Sequence, residues 1–238
     1  MSKNTFGGVN GFQKNKVGSV VGYKFRGEQV YRGYQKNVAN PRTVRQQKAR
    51  IKFSEDSAIM RMARSAVNKG YMLAASGTRM SPRNMAMRDS HGAFSVSDQL
   101  EVTVAYNDLH FSKGNFDGLL VGRATSEAQI MTVVVNNFMD PSSTASQAVC
   151  ANAELYLFVY VPAAKRGVVV KGSLASVVWT GVVGQVTVTL PTWTLGAEAQ
   201  VYGFIYIKGD CVDSSTGEVV AIKGDCGNSQ IIFTGELE

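Results

Sequence analysis

The chain has 238 residues, 45% apolar and 18% charged, which describes a folded protein rather than a disordered one. Its net charge of +7 is unevenly spread: residues 1–89 hold 18 Lys and Arg against 4 Asp and Glu (+14), and residues 90–238 hold 7 against 14 (−7). This split points to a polyanion partner or to self-association, while three cysteines are too few for a disulfide framework and no run nears the roughly 18 apolar residues of a membrane span.

Residues 1–16, MSKNTFGGVNGFQKNK, read as an arm of glycine and polar residues with single aromatics. They cannot offset an ordering cost of about 1–2 kcal/mol per residue on their own. The first twenty residues lack the apolar core of a signal peptide, so synthesis is expected in a cytoplasm. Residues 17–36 read as a β-hairpin turning at Arg26-Gly27-Glu28. Its tyrosines, set between Lys24, Arg26, Arg32 and Lys36, either face a core or offer rings for stacking on bases.

Asn40 to Lys69 reads as one long helix, opened by Asn40 and Pro41 and stopped by Gly70. Val44, Ile51, Ala58, Met62 and Ala66 mark its expected apolar face, and Arg42, Arg45, Lys48 and Lys52 a basic stripe. Residues 70–92, with four methionines, read as a flexible connection that packs on a neighbouring copy.

From residue 93 short apolar runs recur at regular spacing, with AELYLFVYV (153–161) and AQVYGFIYI (199–207) as the most central strands. The expected architecture is mainly β: a β-sandwich, jelly-roll or immunoglobulin-like, over 93–238, behind a basic arm, hairpin and helix over 1–92. The pentapeptide Ile207-Lys208-Gly209-Asp210-Cys211 recurs as Ile222-Lys223-Gly224-Asp225-Cys226. This echo allows a Cys211–Cys226 disulfide or a cation held by Asp210, Asp213 and Asp225, but cytoplasmic synthesis favours a coincidence of strand-end residues.

No catalytic set is legible. His91 and His110 fall in no metal spacing, Asp108-Leu109-His110 has no nucleophile elbow with it, and no phosphate loop is present. The reading is therefore a non-enzyme without cofactor or metal. Lys14, Lys16, Arg42, Arg45, Lys48, Arg50 and Lys52 are the candidate nucleic-acid contacts, binding phosphates without regard to sequence.

Gly11-Phe12, the run Lys16 to Gly22 (KVGSVVG), Arg26-Gly27, Asn40-Pro41-Arg42-Thr43 and Gln46 to Phe53 (QQKARIKF) resemble a family of uncharacterised proteins of Bacteroidota and their phages. The resemblance implies a helix after the N-terminal block and then a fibronectin- or immunoglobulin-like β domain. It supplies no functional residues. Residues 70–130 and the pentapeptide echo depart from its pattern. With the charge split, the expectation is a virion structural protein, a shell-forming subunit in many copies with its basic region on genome or neighbours. The alternative is a non-capsid binding module, such as a tail or fibre component or an adhesin.

Overall fold

The computed structural model describes residues 15–25, 28–36, 42–140, 142–175, 177 and 179–237. The chain divides into compact units between Gln46 and Gln47, where the sequence reading had placed its boundary between residues 92 and 93.

In the first unit β1 (Asn15–Val17), β2 (Val20–Phe25) and β3 (Glu28–Gly33) form an antiparallel sheet in that order. Gly18, at φ 60, supplies the left-handed backbone of the first turn. Register pairs Phe25 with Glu28, so the expected hairpin is present, and its turn residues Arg26 and Gly27 lie outside the described residues.

The boundary falls within α1 (Val44–Met62). Asn40 and Pro41, expected to open this helix, lie outside the described residues. Thr43 caps it instead: its Oγ1 accepts from the Gln46 N–H at 3.4 Å. The helix bends at Ala63 into α2 (Arg64–Gly70), although Ala63 still donates to the Ile59 carbonyl and accepts from Val67. The single helix of the sequence reading is thus two segments. Its buried face also differs. Ile59, Met60, Ala63, Ala66 and Val67 are buried, whereas Val44 is 54% exposed and Ala66 alone is shared with the expected stripe. Apolar residues lay on more than one side of the helix, and tertiary packing selected among them.

Residues 70–92 are not a flexible connection. They form α3 (Met72–Ala75) and α4 (Pro82–Asp89), with Pro82 at the first helical position. Ser81 accepts from Asn84 N–H at 3.2 Å as the α4 cap. Met85 is buried in this chain's own core.

Two short strands, β4 (Phe94–Val96) and β5 (Val102–Val104), pair as a hairpin. Then comes the sandwich. β6 (Leu119–Glu127), β7 (Ile130–Asn137), β10 (Trp179–Thr180) and β11 (Val183–Thr189) make one sheet in the order β10-β11-β7-β6. β8 (Ala153–Val161), β9 (Arg166–Ser173), β12 (Glu198–Ile207) and β15 (Gln230–Glu236) make the other in the order β15-β12-β8-β9. α5 (Thr144–Asn152) precedes β8, and β13 (Cys211–Val212) pairs with β14 (Val219–Ala221).

Alternation explains why β8 and β12 read as unbroken apolar runs. Leu155, Leu157 and Val159 with Val201, Ile205 and Ile207 point into the core between the sheets. Tyr156, Phe158 and Tyr160 with Tyr202, Phe204 and Tyr206 point to the other side, and Phe158, Tyr160 and Tyr202 pack there with Ile59, Met60 and Val67 of the helices. The second unit is therefore three layers, helices on an aromatic face and a second sheet on an aliphatic one. Each buried side chain contributes roughly 1.5–3 kcal/mol. Phe111 closes the aromatic cluster, with ring centroids 4.8 Å from Phe158 and 4.6 Å from Tyr202.

The two copies of the echoed pentapeptide meet. Ile207 N–H donates to the Asp225 carbonyl at 2.9 Å, Gly224 N–H to the Ile207 carbonyl at 2.9 Å, and Lys223 N–H to Asp210 Oδ1 at 2.7 Å. Cys150, Cys211 and Cys226 are buried free thiols. Burial pushes the Cys226 thiol up to about 12, and Sγ donates to the Gly70 carbonyl at 3.0 Å. Among the described residues no cluster of potential metal ligands forms, and no helix is long and apolar enough to cross a membrane.

Candidate nucleic-acid interface

The first unit concentrates charge. Over residues 1–46 there are 9 Lys and Arg against 1 acidic residue, a net +8, and over 47–238 there are 16 against 17, a net −1. The sheet of this unit places Val21 opposite Arg32 and Tyr23 opposite Val30, so Tyr23, Arg32 and Tyr34 share one face. Tyr23 is 41% exposed, Tyr31 55% and Tyr34 43%. The rings are not enclosed in a core. Rings beside a guanidinium offer both a stacking surface and a phosphate contact. A cleft of about 540 Å³ is lined by Val21, Arg32, Gly33, Tyr34 and Gln35.

The expected contact residues fall in both units. Lys14 lies outside the described residues, and Lys16 sits in β1. Arg42 and Arg45, in the first unit, are exposed. In the second unit Arg50 is exposed, whereas Lys48 reaches Asp98, with Nζ 2.5 Å from Oδ1. Hydrogen bonding and charge from Lys48 hold the Asp98 carboxyl below its usual range. Lys52 lies close enough to Asp56 to act on its charge. Lys48 of the expected row is thus paired with a carboxylate of its own chain.

The basic spacing alone did not single out Tyr23, Tyr31 and Tyr34. Strand parity puts Tyr23 and Arg32 on one face, and that signal was legible in the sequence.

A second cleft, about 460 Å³, is walled by Tyr71, Asp89, His110, Ser112, Lys113, Asn228 and Ser229. Asp89 accepts from Arg88 at 2.9 Å, from Lys113 at 3.2 Å and from the Tyr71 hydroxyl at 3.4 Å. Burial alone would raise the Asp89 carboxyl, but these hydrogen bonds and charges bring it below its usual value. Ser229 Oγ accepts from the Phe111 and Ser112 N–H groups at 2.8 and 3.2 Å. These bonds tie α4, the 110–113 segment and the approach to β15 together. His110 follows a 3-10 turn, and its backbone N–H donates to Ser90 Oγ at 2.9 Å.

No curated protein matches the sequence, and no solved structure matches the fold. One family model does match, over residues 11–217, which is most of the chain. With the opening block, the helices and nearly all the sandwich inside that span, the chain belongs to DUF6266, a family of unknown function.

Proposed function

We propose that this protein is a structural subunit that assembles in many copies, in its most concrete form the shell-forming subunit of a phage of Bacteroidota. It is made in the host cytoplasm and carried in the virion. The observation that carries the reading is the segregation of charge, +8 over residues 1–46 against −1 over the other 192 residues. A nearly neutral body gives copies little reason to repel one another, while a cationic unit with exposed tyrosines suits packaged nucleic acid or an acidic surface of a neighbour. Lys14, Lys16, Arg42 and Arg45 of the first unit and Arg50 of the second are the proposed phosphate contacts, and Tyr23, Arg32 and Tyr34 of the first unit add stacking surface and charge. Lys48 contributes less, because Asp98 already pairs with it.

Native mass measurement with and without nuclease tests this. A large, nuclease-sensitive species and many copies in purified particles are expected. A chain recovered only as a monomer that binds no nucleic acid at low salt would overturn it. The second reading is a binding module such as a tail or fibre component or an adhesin, favoured by the β-sandwich, with the cations serving protein contacts. Counterion release predicts that affinity for nucleic acid falls about one log unit per log unit of salt for each phosphate neutralised. A flat salt response favours the binding module.

A further inference from the structure

The outward face of the β10-β11-β7-β6 sheet is almost without charge. Among the residues of these four strands only Arg123 and Glu127 are charged, in a chain that is 18% charged overall. Register sets Leu120, Asn136 and Val183 in one row across the sheet and Thr125, Thr132 and Thr187 in another. All six are exposed or half-buried, with Leu120 at 37% and Val183 at 39%. Their inward neighbours Met131, Val133, Val135 and Val186 fill the sandwich core, so the pleat leaves this face to something outside the sheet.

Charged side chains are the usual means by which a sheet resists packing on its own kind. Here that means is missing, and rows of Thr and Val present the shape that sheet-on-sheet packing at about 10 Å uses. The two charges have opposite sign and stand four residues apart on β6, both exposed. In a two-fold contact residue i meets j of the other copy and j meets i. An antiparallel approach therefore sets Arg123 against the partner's Glu127, and Glu127 against the partner's Arg123, with the threonine rows between them. We propose that this face packs on the same face of a second copy across a two-fold axis.

Four strands about 4.8 Å apart and seven residues at about 3.4 Å give roughly 400 Å² per copy. That is about half of the 800 Å² per partner typical of stable complexes. The contact is weak alone and becomes effective when each copy makes several contacts at once. The proposal rests on the assembly reading above and names one of its surfaces.

Sedimentation velocity of the full chain across a concentration series, after nuclease treatment, tests it. The native chain should self-associate as concentration rises. Arg123→Glu and Glu127→Arg should each weaken association about tenfold, Thr132→Lys should weaken it similarly, and the Arg123→Glu/Glu127→Arg pair should restore it. The double variant guards against loss through misfolding, since a misfolded chain would not be rescued. Association that none of these variants alters would overturn the face while leaving the assembly reading intact. A native chain that stays monomeric throughout would likewise overturn the face, whereas the assembly reading falls only if no large species forms before nuclease.

Discussion

Asp56 is a carboxyl on the buried side of α1 at 3% exposure, and among the described residues its Oδ1 has no hydrogen-bond partner. Burial raises it from 3.8 to about 6, against the opposing charges of Lys52 and Arg83. A folded value above the unfolded one means that the ionised form is the disfavoured one in the native state. The group's stabilisation is complete below about pH 4 and is lost as pH rises through about 6. At 1.36 kcal/mol per decade the full gap is about 3 kcal/mol. Solvent screening near two cations reduces this to about 1–2 kcal/mol. Asp56→Asn removes the charge and keeps the shape. It should stabilise the protein by about 1–2 kcal/mol near pH 7.5 and leave it unchanged near pH 4. Urea unfolding of both proteins across that range measures the difference. An Asn variant less stable at the higher pH would refute the reasoning, because Asp56 would then be a paired anion that Arg83 and Lys52 hold ionised.

Three other outcomes are open to measurement. The β6–β7 turn places Ala128 at φ 46 and Gln129 at φ 71, a conformation that suits Asn-Gly; Ala128→Gly should raise stability by about 1 kcal/mol in thermal unfolding, and an unchanged or lower midpoint would contradict strain at this turn. Gly114→Ala should unfold the protein or lower its expression sharply, since the new Cβ would stand 1.9 Å from the Cys226 carbonyl oxygen; a normally folded variant would contradict this close approach. Tyr23→Ala with Tyr34→Ala should weaken binding of single-stranded nucleic acid by about 1–3 kcal/mol per stacked base and leave the salt slope unchanged in fluorescence anisotropy, whereas Arg42→Ala should lower that slope.

Much of the sandwich was legible because its strands are short apolar runs, alternating where one face is open and unbroken where both faces are covered. AELYLFVYV and AQVYGFIYI stood out as central strands and run as β8 and within β12. β6 is harder to read because the alternation breaks there: register shifts between Val121 and Ala124, so two core residues lie three apart. α5 was hidden in a Ser- and Thr-rich run that reads as loop, although Ser143 Oγ accepts from Ser146 N–H at 3.1 Å as its cap. α4 had its signal in plain view in Ser81-Pro82, outweighed by the glycine and methionine around it. In the candidate interface the cations could be found by counting. That Lys48 turns to Asp98, fifty positions away, is a tertiary fact no spacing discloses.

The two unlike faces of the central sheet constrain what insertions this family member can accept. One residue added within β8 would drive Tyr156, Phe158 and Tyr160 between the sheets and deliver Leu155, Leu157 and Val159 to the helices, so that both interfaces misfit at once. An added residue in the 213–218 bend joining β13 to β14, by contrast, leaves both layers in step.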